Sequence, residues 1–315
     1  MSKIYPIDYI GNTPMFDLSS MVQETGAHLY AKLEFMNPGG SIKDRPALAM
    51  ILDAEKRGLL QPGMVIVEPT AGNTGIGLAI VARSRGYKSV FFVPDRMSQE
   101  KIQAVNLFGG ETFLIPSDKG ILGCIEACES YMRGRSDCYM PQQFSNPANP
   151  FQAETILGSE IEQQLGTIPD GTAIGAGTGG TFTGLARFLK EKNTKATCVV
   201  VEPEGSIYAG GPKGDYRIEG IGNSYIPANL DLGLADDIAT ISDLDSFQMC
   251  ARLRKDFGLL VGGSSGANIM ASIRLCKKLG PNRTVVTVLP DGMERYRSKN
   301  WVQELLKGDY DGTGN

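Results

Sequence analysis

The sequence predicts an α/β protein built as two doubly wound parallel-sheet domains, and three observations carry that prediction. Short β-branched apolar runs of five or six residues alternate with helical stretches of ten to fifteen, the rhythm of parallel strands covered on both faces by helices. Glycines cluster where those runs end, in GNTP, NPGGS, AGNTGIG, GAGTGGTFTG, EGIG and VGGSSG. The rhythm breaks once, at PQQFSNPANP (141–150), where prolines and side-chain amides mark a domain boundary. The expected domains are residues 1–145 and 146–315, with residues 13–34 free to pack with the C-terminal sheet.

Taken in order, GAHLYAKLE (26–34) reads as a turn entering a strand, and Pro46 fits the first position of a helix with Leu48, Ile51 and Leu52 on its apolar stripe. MVIVEP (64–69) reads as a strand, TAGNTG as a loop, and IGLAIVARSRG as a helix closed by Gly86. SVFFVP (89–94) and ETFLIP (111–116) follow as strands, with helices over 98–108 and 124–132. Beyond the break, TAIGAG, TCVVVEP, LLVGG and TVVTVLP read as strands. FTGLARFLKEK, DSFQMCARLRKDFG and ANIMASIRLCKKLG read as helices between them. The tail GDYDGTGN is polar and Gly-rich, and fraying is expected there.

Composition narrows the chemistry. The chain has 315 residues, a hydrophobic share of 42% and a net charge of −4, so an anionic membrane surface or nucleic acid gains no electrostatic attraction. No apolar run reaches the ~18 residues of a membrane span, and MSKIYPIDYIGN lacks a signal-peptide core, so a cytoplasmic protein is expected. The six cysteines show no two-residue gap of the zinc-ribbon or redox kind. Cys124 and Cys128, four apart, read as small apolar residues on a buried helical stripe. His28 is the only histidine, so any Ser-His-Asp or Cys-His triad runs through it, and no motif surrounds it. Proton transfer therefore falls to another side chain or to a cofactor. The 39 glycines, about 12% against an average of about 7%, suit backbone N–H groups that must approach a bound anion closely.

Three loops compete for that anion. Gly175 to Gly180 matches G-x-G-x-x-G between a strand and a helix, with Glu202 ending the next strand, as a dinucleotide-binding dehydrogenase requires. Thr178, Thr181 and Thr183 instead supply hydroxyls that suit a single phosphate monoester at a helix N-terminus. Lys43, in NPGGSIKDRP, stands just before a helix, where the macrodipole disfavours a cation; a lysine there is a candidate for Schiff-base chemistry. Thr70 to Gly75 again joins a strand to a helix and offers N–H groups to a carboxylate.

NPGGSIKDRPA, EPTAGNTGIGLA, QQFSNPANP, GAGTGGTFTG, VEPEGS, EGIG, GGSSGA and LPDGMERY occur in this order along nearly the whole chain. Together they resemble the cysteine synthase and cystathionine β-synthase family, pyridoxal-phosphate enzymes with the tryptophan-synthase-β fold. The resemblance implies pyridoxal 5'-phosphate as cofactor, with Lys43 as the lysine that carries it and moves the substrate α-proton. It implies that Asn73 bonds the cofactor's ring hydroxyl and that Gly177, Thr178, Gly179, Gly180 and Thr181 form the phosphate cup. Ser264 is similar to the residue facing the ring nitrogen. Thr70, Gly72, Asn73, Thr74 and Gln143, with Gly220 of EGIG, resemble the substrate-binding positions.

A serine at the ring nitrogen, unlike an aspartate, leaves it unprotonated and favours elimination across Cα and Cβ. The implied reaction is β-replacement: a leaving group departs from Cβ of an amino acid and a sulfur nucleophile takes its place. O-acetylserine with sulfide, giving cysteine and acetate, is the first expectation. Cystathionine synthesis from serine or O-acetylserine with homocysteine is the alternative, followed by cysteine desulfuration to hydrogen sulfide or an amine nucleophile. From other classes, an NAD-dependent dehydrogenase and a catalytically dead binding relative stand as competitors. Ala71 stands where many members have a hydroxyl residue. Asp291 and Glu219 resemble the cystathionine side, and QQFSNPANP the cysteine-synthase side. Homodimerisation is implied by the family, and no haem-binding or regulatory extension is expected.

Overall fold

The computed structural model describes residues 4–70 and 72–308. Among the described residues ten strands form two sheets: β1 (Met15–Asp17), β2 (His28–Leu33), β3 (Val65–Pro69), β4 (Lys88–Pro94), β5 (Glu111–Ile115), β6 (Cys138–Tyr139), β7 (Gly171–Gly175), β8 (Thr197–Pro203), β9 (Asp237–Ile241) and β10 (Thr284–Leu289). The smaller sheet has the order β5-β4-β3-β6 and the larger the order β1-β2-β10-β7-β8-β9. Helices α1 (Asp44–Lys56), α2 (Asn73–Arg85), α3 (Gln99–Leu107) and α4 (Gly120–Met132) cover the smaller sheet. The larger is flanked by α5 (Ala148–Gln152), α6 (Gly158–Leu165), α7 (Gly180–Lys192), α8 (Asp243–Phe257), α9 (Gly263–Leu279) and α10 (Asn300–Lys307).

The smaller sheet is wholly parallel. Val65 and Val67 of β3 face Cys124 and Cys128 of α4, whereas Ile66 faces Ile76 and Ala79 of α2, the period of two that a strand buried on both faces shows. Both cysteines are fully buried free thiols on one stripe, as the spacing predicts.

The larger sheet departs from the expected all-parallel form. β2 pairs parallel with β10 over six residues, from His28 opposite Thr284 to Leu33 opposite Leu289. β1 then folds back antiparallel on its outer edge, because the short turn-and-3₁₀ link of residues 18–27 is too tight for a parallel crossover. Residues 15–33 thus form the edge of the sheet built from the C-terminal half. Val285 and Leu289 of β10 face the core under α8 and α9, and Val286 and Val288 face the core under α6 and α7.

Two strand assignments change. LLVGG makes only an isolated bridge, Val261 to Gly292, because Gly263 already begins α9. DIATI, passed over in the sequence, forms the edge strand β9 beside β8. The only histidine is exposed at the start of β2. Residues 309–315, most of the polar tail, lie outside the described residues. No helix among the described residues is long and apolar enough to cross a membrane.

Candidate active site

In parallel sheets the loops after the strands meet at the carboxyl edge, and that edge carries the site here. β3 leads into the loop before α2, β7 into the loop before α7, and β10 into Pro290 and Asp291. A cavity of about 340 Å³ lies between them, walled by Lys43, Thr70, Gly72, Asn73, Thr74, Gln143, Gly177, Thr178, Thr181, Gly220 and Ser264, among others. Gly179 and Gly180 make the turn behind this wall, with Gly179 in the left-handed region at φ 83°. Residues singled out from loops more than 200 positions apart therefore converge on one space. Ala71 lies outside the described residues.

Lys43 is the N-cap of α1, with its side chain on the cavity. Desolvation pushes its amine below the ordinary lysine range, and Lys101 adds to that while Asp291 opposes it. Among the described residues no side-chain hydrogen bond or ion pair holds it.

On the opposite wall, the N–H groups of Gly177, Thr178, Gly179 and Thr181 have no acceptor among the described residues. They sit at the N-terminal end of α7, where unsatisfied donors and the helix dipole favour an anion. Asn149 Nδ2 donates to Thr178 Oγ1 at 3.0 Å, which leaves the Thr178 hydroxyl hydrogen available to a ligand. Thr183 does not take part: its hydroxyl, buried, accepts from the Asp231 N–H at 3.0 Å. Ser264, in the first turn of α9, is nearly buried and presents its side chain to the same cavity.

The loop before α2 is held by its own hydroxyl. Thr70 Oγ1 accepts from Gly72 N–H at 3.1 Å and Gly75 N–H at 3.3 Å. Gly72 has φ 126°, and a Cβ there would lie 2.6 Å from Lys101 Cδ, so only glycine fits. Thr74 donates to Gln143 Oε1 at 2.6 Å, and Gln143 Nε2 donates to the Pro69 carbonyl at 3.1 Å. The amide of Gln143 is thereby fixed beside the free N–H groups of Asn73 and Thr74.

Glu202 does not serve a nucleotide. It is buried outside the cavity, accepting from the N–H groups of Tyr208 and Ala209 and from the Thr240 hydroxyl. The dinucleotide reading of Gly175 to Gly180 loses its ribose-binding acid.

The structure adds residues that sequence reasoning left without a role. Lys101 also lines the cavity, its amine 2.7 Å from Glu219 Oε2 and 4.1 Å from the centre of the Tyr296 ring. Lys299 holds the other Glu219 oxygen at 2.8 Å. Asp291 and Arg295 grip the Asn73 side chain. LPDGMERY and EGIG were visible as blocks, but nothing local shows that they close on α2 and α3.

The ring of free N–H donors, a buried lysine amine and a hydroxyl on a third wall form a donor set that fits a phosphorylated ring aldehyde. Comparison with known proteins agrees. The profile of the family described as "Pyridoxal-phosphate dependent enzyme" matches residues 7–291. A cysteine synthase of Staphylococcus aureus is 43% identical over 291 residues, covering 92% of this chain and 94% of that one. The crystal structure of an O-acetylserine dependent cystathionine β-synthase from Helicobacter pylori superposes with a TM-score of 0.90 at 41% identity, covering 95% and 99% of the two chains. A hydrogen sulfide-producing enzyme from Fusobacterium nucleatum superposes at 0.89 with 38% identity, covering 93% and 99%.

Proposed function

The chain belongs to the pyridoxal-phosphate dependent enzymes, and from that premise we propose that it catalyses β-replacement on O-acetylserine with sulfide, forming cysteine and acetate. The observation that carries this reading is the position of Lys43: a desolvated, unpaired amine facing a ring of free N–H donors across one cavity. Pyridoxal phosphate, when bound, supplies a carbonyl that condenses with amines and an electron-withdrawing ring that labilises a Cα proton and a β leaving group.

Each residue then has a task of its own. The N–H groups of Gly177, Thr178, Gly179 and Thr181 bind the phosphate, with Gly180 completing the turn. Ser264 faces the ring nitrogen, and Asn73 meets the ring hydroxyl. Thr70, Gly72, Asn73, Thr74, Gln143 and Gly220 bind and orient the amino-acid substrate, with the free N–H groups of the loop directed at its α-carboxylate. The amine of Lys43, neutral more readily than an ordinary lysine because it is desolvated, takes the α-proton and later returns it.

A second reading replaces sulfide by homocysteine, giving cystathionine. It is favoured by a further cavity of about 540 Å³ that shares Met97, Tyr216 and Glu219 with the first, room in which an amino-acid thiol extends beyond Cβ. The H. pylori relative supports it, and the F. nucleatum relative supports release of sulfide from cysteine as a third.

The test offers purified enzyme serine, O-acetylserine and cysteine, each with sulfide and with homocysteine, and identifies the products. Cysteine from O-acetylserine and sulfide is expected; product only in the homocysteine reactions transfers the assignment to the second reading. Borohydride reduction of the cofactor-loaded protein is expected to fix the cofactor's mass on the peptide holding Lys43, and the label on any other lysine sinks the role given to Lys43.

A further inference from the structure

Asn73 is gripped at both ends of its amide. Arg295 Nη1 donates to Asn73 Oδ1 at 3.0 Å, and Asn73 Nδ2 donates to Asp291 Oδ2 at 2.6 Å. The same Asp291 oxygen takes the Tyr296 hydroxyl at 2.6 Å, and Arg295 also donates to the Gly39 carbonyl. Asp291 and Tyr296 are nearly inaccessible, and Arg295 is buried as well. Burial and the neighbouring Asp291 charge hold the Tyr296 hydroxyl well above its ordinary range, so it remains a donor.

A guanidinium has five N–H groups and no acceptor. Whatever atom of Asn73 faces Arg295 must therefore be its oxygen, which turns the nitrogen the other way. One of the two hydrogens on that nitrogen goes to Asp291. Asn73 also lines the cavity, and the second hydrogen on its amide nitrogen has no partner among the described residues. An asparagine free to flip turns either end to a bound group; in this one the oxygen is held to Arg295 and the nitrogen keeps one hydrogen to give.

We propose that Arg295 is a positioning residue, locking the Asn73 amide with Asp291 so that it gives only a hydrogen to the cofactor's ring oxygen, which is thereby held as the oxyanion. This rests on the reading above in which Asn73 meets that oxygen. The other charged groups around the lock are Glu294, whose carboxylate lies 3.6 Å from Arg295 Nε, Lys43 and Lys101 on the cavity side, Asp44 behind Arg295, and Glu219 beside Lys101. None of them touches the Asn73 amide.

The experiment reads the absorption spectrum of the cofactor-loaded resting enzyme, without substrate. The visible band reports the ionised ring oxygen and a near-ultraviolet band the protonated one. Asn73→Ala removes the amide and is expected to raise the near-ultraviolet share at least about threefold. Arg295→Gln, whose neutral amide can accept as well as donate, leaves Asp291 alone to orient the Asn73 amide, and is expected to move the spectrum in the same direction. Arg295→Lys, which still only donates, is expected to restore the wild-type ratio.

Arg295→Gln with a wild-type spectrum, or Arg295→Gln and Arg295→Lys shifted equally, overturns the lock. If Arg295→Gln does not fold, Asn73→Asp decides, since an acceptor in place of the donor must raise the near-ultraviolet share beyond that of Asn73→Ala; an equal or smaller rise overturns the proposal. No change in Asn73→Ala overturns instead the contact between Asn73 and the ring oxygen on which the lock depends. A wild-type enzyme with no band at all overturns the reading of Lys43.

Discussion

The carboxylate of Glu68 accepts the backbone N–H of Gln143, 75 residues further along the chain, at 2.8 Å. Its second oxygen accepts from Gln142 N–H at 2.9 Å, and Gln142 is held in the left-handed region at φ 58°. A fully buried acid at the end of β3 thus anchors the segment that carries one of the proposed substrate-binding residues.

Burial pushes Glu68 up to about 7, against the pull of the two N–H groups. The unfolded value is about 4.3, so between these values the folded protein holds a proton that the unfolded chain has released. Stability from this group is complete below the unfolded value and is lost as pH rises through about 7, by up to ~3 kcal/mol. Asp44, also pushed up to about 7 by burial, adds a decline of the same sign. In urea denaturation at pH 5 and pH 8, Glu68→Gln is expected to lose less stability across the interval than wild type, with the Asp44 share remaining. An unchanged slope in the variant would show that Glu68 is ionised throughout.

The opposite sign belongs to the buried ion network behind Lys43. Glu160 accepts from Lys32 at 2.9 Å and from both Arg45 terminal nitrogens at 2.8 Å, while Arg45 also holds Glu34. Burial alone would raise Glu160, but Arg45 and Lys32 bring it down to about 2. Its contribution is therefore present above the unfolded value of about 4.3 and lost as pH falls through about 2, by ~3 kcal/mol. Glu160→Gln leaves the fully buried Lys32 without its carboxylate, and a loss of about 3–5 kcal/mol at pH 7 is expected in chemical denaturation. A loss below about 1 kcal/mol would mean that water replaces the carboxylate.

Much of this was legible in the sequence because it is local. TCVVVEP forms a strand over the residues read from its β-branched run, and Lys43 stands before a helix as read, although that helix begins at Asp44, two residues ahead of Pro46, and buries Ala47, Met50, Ile51 and Ala54 while Leu52 is exposed. What was not legible depends on closure between distant segments. Asn73 meets Asp291 and Arg295 across more than 200 residues. LLVGG has a strand's composition but yields to the helix that Gly263 begins. DIATI alternates only weakly, since an edge strand buries less of itself than β8 beside it.

Gly177 offers a test of the phosphate cup. A Cβ there would collide with the carbonyl oxygen of Gly220, so Gly177→Ala must displace one of two loops that wall the cavity. A loss of about 1–3 kcal/mol and a cofactor affinity at least ~10-fold weaker, about 1.4 kcal/mol, are expected from thermal melts and spectroscopic titration. Gly211→Ala is the control: its Cβ would meet only the Ser206 carbonyl, at 4.0 Å, and a change within about 0.5 kcal/mol is expected. Equal effects in the two variants would remove the steric account.

Glu219 separates the two nucleophile readings. It stands in the wall shared by the two cavities, where burial would raise its carboxyl but Lys101 and Lys299 hold it below the usual range. Sulfide needs only to reach Cβ, whereas an amino-acid thiol must also place its ammonium and carboxylate groups past this ion cluster. Glu219→Gln keeps the shape but leaves Lys101, whose side chain is only 2% exposed, without its anion. With O-acetylserine as first substrate, kcat/KM for sulfide is expected to fall less than about threefold. For homocysteine the expected fall exceeds ~10-fold, or about 1.4 kcal/mol. Equal losses with both nucleophiles would place Glu219 in the handling of O-acetylserine, because only a step common to both reactions slows them alike.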